Sequence, residues 1–191
     1  MIDQREEFRR IVSEYVDLSD EDWQLLLSLV YFKTLYKGEV LLYEGESRSD
    51  IYVVLSGLLR TYFTRADAEE KTFYFSVEGD LATDYEGMSK GTPSRYSIDA
   101  LEATTIAVIP YEGLQHILTS YNRGQSIFIA IIEKYFFLWS ERIADFYMHS
   151  PKERYDKMCK RYPDIIQRVP QYLIASYLNI STVHLSRLRR Q

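Results

Sequence analysis

The sequence predicts an α+β protein. It should have an N-terminal β-barrel of short strands (a β-roll or jelly roll) with flanking helices, then one long helix, then a small helical C-terminal unit. Three observations predict this. Residues 31–110 break into short β-rich runs separated by glycine turns. A helical period of apolar residues returns over 111–149. Residues 169–190 read as two short helices joined by a tight turn, the second ending in a cluster of arginines.

Residues 3–30 read as helices. Ser19 has the residue type of an N-cap, Asp22 supplies an acid to the first turn, and Trp23, Leu26, Leu27 and Val30 make an apolar stripe. The strand candidates are 32–35, 40–43, 51–56, 58–64, 71–76, 96–100 and 104–109. The turns between them are marked at Lys37-Gly38, Glu44-Gly45-Glu46, Ser56-Gly57 and Glu78-Gly79-Asp80. Tyr52-Val-Val-Leu55 and Ile106-Ala-Val-Ile109 are nearly continuous apolar runs, as central strands would be. Short strands at this regular spacing indicate a barrel or sandwich and not a parallel sheet.

Residues 111–121 form a short helix. Residues 126–149 form a long one of about 24 residues, roughly 36 Å at the standard rise. Phe128, Ile131, Ile132, Tyr135, Leu138, Trp139, Arg142, Ile143 and Phe146 give it an apolar face. That face looks too broad to be covered by one small β domain, so pairing with the same helix of a second subunit is expected. The alternative is that it folds back over its own domain. His149-Ser-Pro151 then breaks the helix as X-Pro does. The expected domains are therefore 1–125, a sensor; 126–150, a dimerisation helix and hinge; and 151–191, a helical unit.

In that last unit Pro170 suits a first helical position, and Leu173, Ile174, Tyr177 and Leu178 share one face. Asn179 tolerates the left-handed turn and Ser181 is an N-cap type. Leu185 and Leu188 point inward on the second helix; Val183, Ser186, Arg187 and Arg190 point outward, with Thr182 at the edge. Hydroxyls and arginines suit phosphates, arginine suits a guanine edge, and Val183 or the Thr182 methyl suits thymine. The expected DNA-contacting set is Ser181, Thr182, Val183, Ser186, Arg187, Arg189 and Arg190. An ordinary helical hairpin with a solvated basic face is the competing interpretation.

Charge supports the DNA-binding interpretation. Residues 151–191 hold nine Lys/Arg against three acids, a balance of +6 on a chain of −5, so residues 1–150 carry −11. An acidic body repels duplex, confining contact to the basic end. A hydrophobic content of 46% argues against disorder. No apolar run spans a membrane, Met1-Ile-Asp-Gln-Arg-Glu-Glu is no secretory signal, and a cytoplasmic protein is expected. The single Cys159 excludes an internal disulfide, and His116, His149 and His184 lack metal-ligand spacing. No nucleophile–base pair or glycine-rich phosphate loop is evident, so an enzyme is not expected. Glu69-Glu70 reads as solvated charge in a hairpin turn. The remaining alternative is a ligand-binding or protein-interaction module without DNA binding.

Barrel, long helix, proline-containing hinge and terminal helix pair together resemble the Crp/Fnr family of bacterial transcription regulators. The carriers are Tyr36-Lys-Gly-Glu-Val-Leu-Leu-Tyr-Glu-Gly-Glu46, Ile51-Tyr-Val-Val-Leu-Ser-Gly57, Gly79-Asp-Leu-Ala82, residues 94–100, the long helix and residues 174–190. The C-terminal part resembles a Bacteroidetes-type branch. The resemblance implies a cyclic-nucleotide-binding-like barrel, a (winged) helix-turn-helix, a homodimer on a pseudo-palindromic operator, and RNA polymerase as a further partner. It also places an effector pocket around Gly79, Asp80, Leu81, Ala82, Ser94, Arg95 and Tyr96. No cofactor is expected. A cyclic nucleotide is the ligand the family offers, but registering the strand on Ile98-Asp-Ala100 puts Ser94, not Arg95, at the phosphate-binding position. A one-residue offset turns the side chain to the other face unless a bulge resets it. Asp84 and Glu86 add acids where an anion would approach, and Tyr74, Tyr85 and Tyr96 can either fill the pocket or stack on another small effector. An effector there is expected to act by shifting the long helices.

Overall fold

The computed structural model describes residues 3–47, 50–120 and 124–190. Met1, Ile2, Gln191 and Tyr121, the expected last residue of the short helix, lie outside them. Two helices open the chain, α1 (Gln4–Ser13) and α2 (Asp20–Leu29). Ser19 caps α2, its hydroxyl accepting from the Asp22 backbone N–H. Eight strands follow: β1 (Tyr31–Leu35), β2 (Val40–Leu42), β3 (Asp50–Ser56), β4 (Leu59–Thr64), β5 (Glu70–Ser76), β6 (Leu81–Ala82), β7 (Ser97–Ala100) and β8 (Thr104–Pro110).

The strands form two four-stranded antiparallel sheets, ordered β1-β8-β3-β6 and β2-β7-β4-β5. The two apolar runs are β3 and β8, paired at the centre of the first sheet. Leu35, Leu41, Tyr52, Val54, Leu59, Ile98 and Ile106 fill the space between the sheets. Phe8, Ile11, Trp23 and Leu26 of α1 and α2 cover the outer face of the first sheet at Val53, Leu55 and Ala107. The four turn glycines Gly38, Gly45, Gly57 and Gly79 all have positive φ. Only Gly57 is also sterically trapped: a Cβ there would sit 2.6 Å from Thr104 Cα.

After the sheets come α3 (Tyr85–Lys90, set between β6 and β7), α4 (Tyr111–Ser120) and α5 (Gly124–Met148), the long helix. Ser150 ends the break after α5. Its hydroxyl accepts from the Glu153 N–H while Glu153 reaches back to the Ser150 N–H, a capping box that starts α6 (Pro151–Arg161) with proline in the first turn. The chain continues through α7 (Ile165–Arg168), α8 (Gln171–Leu178) and α9 (Thr182–Leu188). Among the described residues no strand follows Pro110, so the winged variant is not present there.

The C-terminal helices do not stand apart from the barrel. Met158, Tyr162, Ile165, Val169, Leu173, Ile174 and Tyr177 share one buried cluster with Leu58, Phe75 and Leu101 of the second sheet and its turns. Tyr162 donates to the Phe75 carbonyl at 3.0 Å, and the Thr72 N–H donates to the Ser176 hydroxyl at 3.0 Å. Arg168 reaches across to Gly57 O at 2.8 Å, to Glu78 at 2.8 Å and to Glu102 at 2.7 Å.

The face of α5 turned to its own chain is the one expected to pair with a second subunit. Tyr135 is buried and accepts from the Leu81 N–H at 2.6 Å. Phe128, Ile131, Ile132, Leu138, Trp139 and Arg142 are half-buried against the rest of the chain. Within the single subunit these seven residues pack against their own chain. The exposed stripe is a different one, Ile129, Phe136, Phe137, Ile143 and Tyr147. Ile129, Phe136 and Ile143 recur every seven residues, the spacing of a helix–helix seam.

Candidate nucleic-acid interface and effector cavity

The α8–α9 pair is built as its residue types dictate. Leu173, Ile174, Ala175, Tyr177 and Leu178 of α8 and Leu185 and Leu188 of α9 are buried. Asn179 ends α8 at φ +53°, and the Ile180 N–H returns to the Ala175 carbonyl at 3.0 Å. Ser181 caps α9, its hydroxyl accepting from the His184 N–H at 3.1 Å. The opposite face is open: Ser181, Thr182, Val183, His184 and Arg187 are exposed, and Ser186 is half-buried. Val183 is 61% exposed, an apolar side chain presented to solvent among hydroxyls and cations. Arg189 and Arg190 fall in the turn after α9 and not on the helix itself; both are exposed.

The basic charge of residues 151–191 divides into two groups. Lys152 pairs with Asp156, Lys157 with Asp145 and Glu141, and Arg168 with Glu78 and Glu102. Arg161 hydrogen-bonds the Tyr74 hydroxyl and lies over the Tyr162 ring. Arg154 donates to the His149 and Leu178 carbonyls. Lys160, Arg187, Arg189 and Arg190 are exposed and make no ion pair among the described residues; Lys160 lies on α6, and the three arginines collect beside the open face of α9.

Arg142 joins the long helix to this unit. It donates to the Tyr177 carbonyl at 2.8 Å, and its guanidinium lies 3.6 Å from the centre of the Tyr177 ring. Burial pushes its pKa down, and the tyrosines around it oppose that shift. Arg142 is therefore a packing contact between α5 and the last residues of α8.

A cavity of about 400 Å³ lies where α1, the first sheet, α3 and α5 meet. Leu81, Ala82 and Tyr96 line it, as do Tyr74 and Tyr85; Gly79, Asp80, Ser94 and Arg95 do not. Each of these four has another visible place in the fold. Arg95 is 67% exposed at its side chain and pairs with Glu86. Ser94 spends its hydroxyl on the Tyr96 backbone, accepting from N–H at 3.1 Å and donating to the carbonyl at 2.9 Å. Asp80 accepts from the Val77 N–H in the turn before β6, and burial raises its pKa. Gly79 forms that same turn at φ +86°. Sequence reading missed the contribution of α1 (Ile11, Val12), of Tyr15 in the turn after it and of Phe73, because none lies near the expected motif. Among the described residues no group of His, Cys, Asp and Glu could hold a metal ion, and no helix is long and apolar enough to cross a membrane.

This geometry has known counterparts. Residues 32–121 match the family model described as the cyclic nucleotide-binding domain. The chain is 32% identical over 87 residues to the transcriptional activator protein FnrA of Stutzerimonas stutzeri, a match covering 44% of this chain and 34% of that protein. The chain thus spans about a third of this curated relative's length. Among solved structures, FixK2 from Bradyrhizobium japonicum superposes with a TM-score of 0.71 at 17% identity, covering 85% of this chain and 83% of that one. A regulator assigned to the Crp/Fnr family from Eubacterium rectale also gives 0.71, at 19% identity, over 93% and 86% of the two chains. Residues 32–121 are similar to a cyclic nucleotide-binding domain, and the chain shares the fold of these solved regulators.

Proposed function

We propose that this protein is a homodimeric, sequence-specific DNA-binding transcription regulator of the Crp/Fnr type, with α9 as the helix that enters the major groove. The observation that carries this reading is the open face of α9. It combines exposed hydroxyls, an exposed valine and three exposed arginines on the basic end of an otherwise acidic chain. Residues 1–125 act as the effector-sensing domain, 126–150 as pairing helix and hinge, and 151–191 as the DNA-binding unit. Arg187 contacts a base, flanked by Thr182, Val183 and Ser186; Arg189, Arg190 and Ser181 hold phosphates. The C-terminal part resembles a Bacteroidetes-type branch, and RNA polymerase is the further partner of such a regulator.

The subunits pair through the exposed stripe of α5, Ile129, Phe136, Phe137, Ile143 and Tyr147, since large apolar side chains in a contiguous row are the usual mark of a covered surface. Two α9 helices then meet one face of the duplex about one turn apart. An effector acts by moving α5, and Arg142 carries that motion to the end of α8. Selection from a random duplex pool tests the reading. Enrichment of a pseudo-palindrome supports it; a pool that stays random leaves a ligand-binding or protein-interaction module.

A further inference from the structure

The cavity under α5 has a chemistry that cyclic nucleotides do not match. Among the described residues no Lys, Arg or His lines it, and its ionisable lining groups apart from tyrosines are two carboxylates, Asp84 and Glu86. Both are engaged. Asp84 accepts from the Gly87 N–H at 3.1 Å and the Arg95 N–H at 3.2 Å, while Glu86 pairs with Lys90 and Arg95. Four of the wall hydroxyls are engaged as well. Ser76 donates to the Leu81 carbonyl, Thr83 donates to the Asp50 carbonyl, Tyr135 accepts from the Leu81 N–H, and Tyr74 bonds Arg161. A phosphate entering here would give up its water for a wall that, among the described residues, offers no cation, at about 2–7 kcal/mol per unpaired polar group.

The same wall suits an apolar guest. Phe73 and Tyr96 stack at 5.4 Å and 18°, and Trp139 lies 6.4 Å from Phe73 and 6.3 Å from Tyr135. Aliphatic side chains of α1 and β3 close the other side. The volume falls within the roughly 300–1,000 Å³ of small-molecule pockets. We propose that this cavity takes an uncharged, predominantly apolar aromatic molecule in place of a cyclic nucleotide. The proposal deepens the reading of the barrel as an effector domain. Because Ile132, Tyr135 and Trp139 line both the cavity and the inner face of α5, such a guest presses on the helix that carries Arg142.

The test uses the full chain and needs no DNA, so its failure is separable from failure of the regulator reading. Two fluorophores of nearly one shape are titrated: uncharged N-phenyl-1-naphthylamine, and 8-anilinonaphthalene-1-sulfonate, which adds one sulfonate. The expected result is 1:1 binding of the neutral probe at least about tenfold tighter than the anion, with energy transfer from Trp139 and no displacement by excess cAMP. Val12→Trp and Ile132→Trp, which push a larger ring into the cavity from α1 and α5, should each weaken the neutral probe by about tenfold or more with circular dichroism unchanged. Equal or tighter binding of the sulfonate, displacement by cAMP, or undiminished binding in both folded variants would overturn the proposal. The wild-type probe pair decides it even if neither variant folds.

Discussion

Arg168 is the sharpest test of whether barrel and C-terminal helices form one cooperative body. Its guanidinium spans three turns of the barrel, donating to Gly57 O, Glu78 and Glu102 at 2.7–2.8 Å, with 22% of its side chain exposed. An exposed ion pair contributes about 0–1 kcal/mol, and a hydrogen bond to a charged group about 1.5–3 kcal/mol. Glu78 and Glu102 are 40% and 35% exposed, so water re-solvates them once the arginine is gone, and the lower part of the combined range applies. Arg168→Ala should therefore cost about 2 kcal/mol. For a chain of this size that is roughly 4–8 °C of Tm. Differential scanning calorimetry reads both the shift and the shape: the wild type should unfold in one transition, and the variant should broaden or split as the C-terminal helices separate.

The same ion pairs set a pH signature. Burial pushes the Glu78 carboxyl up, but hydrogen bonds from Arg168 and from backbone N–H groups, with the arginine's charge, outweigh it and hold its pKa below the ordinary value. A depressed carboxyl contributes stability that is present above its unfolded pKa and lost as pH falls through the folded one. The Tm gap between wild type and Arg168→Ala should accordingly narrow below about pH 4. An unchanged Tm with a single sharp transition at neutral pH would refute the clamp.

Asp99→Ala breaks a bidentate pair in which Arg60, 6% exposed at its side chain, bonds Asp99 at 2.9 and 2.7 Å. Only Glu70 is left to the buried cation, and chemical denaturation should record a loss of about 3–5 kcal/mol. Phe136→Lys places a charge in the exposed stripe of α5 and should convert dimer to monomer in analytical ultracentrifugation, whereas Leu138→Ala, on the inner face, should leave the dimer intact; the reverse pattern would return the interface to the inner face. Gly57→Ala meets both a positive φ of 99° and the Thr104 backbone at 2.6 Å. It should cost more than the ~1 kcal/mol typical of a point mutation, and a neutral effect on Tm would contradict that steric picture.

Much of the barrel was legible because its signals are local. Gly38, Gly45, Gly57 and Gly79 mark turns through a backbone geometry that other residues resist, and the runs between them became β2 to β5. β6 was not legible: two residues, Leu81 and Ala82, cannot show a period of two. α3 was hidden for a similar reason, six residues with Gly87 in their midst. The packing of α5 on its own chain was not legible for a different cause. Apolar residues surround that helix, so no wheel separates the stripe that meets the barrel from the stripe left open; only the position of the cavity and of Arg142 decides it.

The α8–α9 unit was legible in nearly every residue because caps and buried leucines are short-range features. Its docking on the second sheet was not. That contact runs through polar side chains, Ser176, Tyr162 and Arg168, whose partners lie 66 to 111 residues away in sequence. The effector residues were half legible. Leu81, Ala82 and Tyr96 of the expected set line the cavity, while the wall supplied by α1 and Phe73 has no signature near the motif.

The most direct measurement is binding of the full chain to its selected duplex, compared with a scrambled duplex across a salt series. The account predicts two chains per duplex, affinity for both duplexes falling steeply as salt rises, and Arg187→Ala losing about 1–3 kcal/mol on the selected duplex with little change on the scrambled one. A single chain per duplex, no preference between the two sequences, or an Arg187→Ala variant indistinguishable from wild type would contradict the claim that paired α9 helices read the major groove.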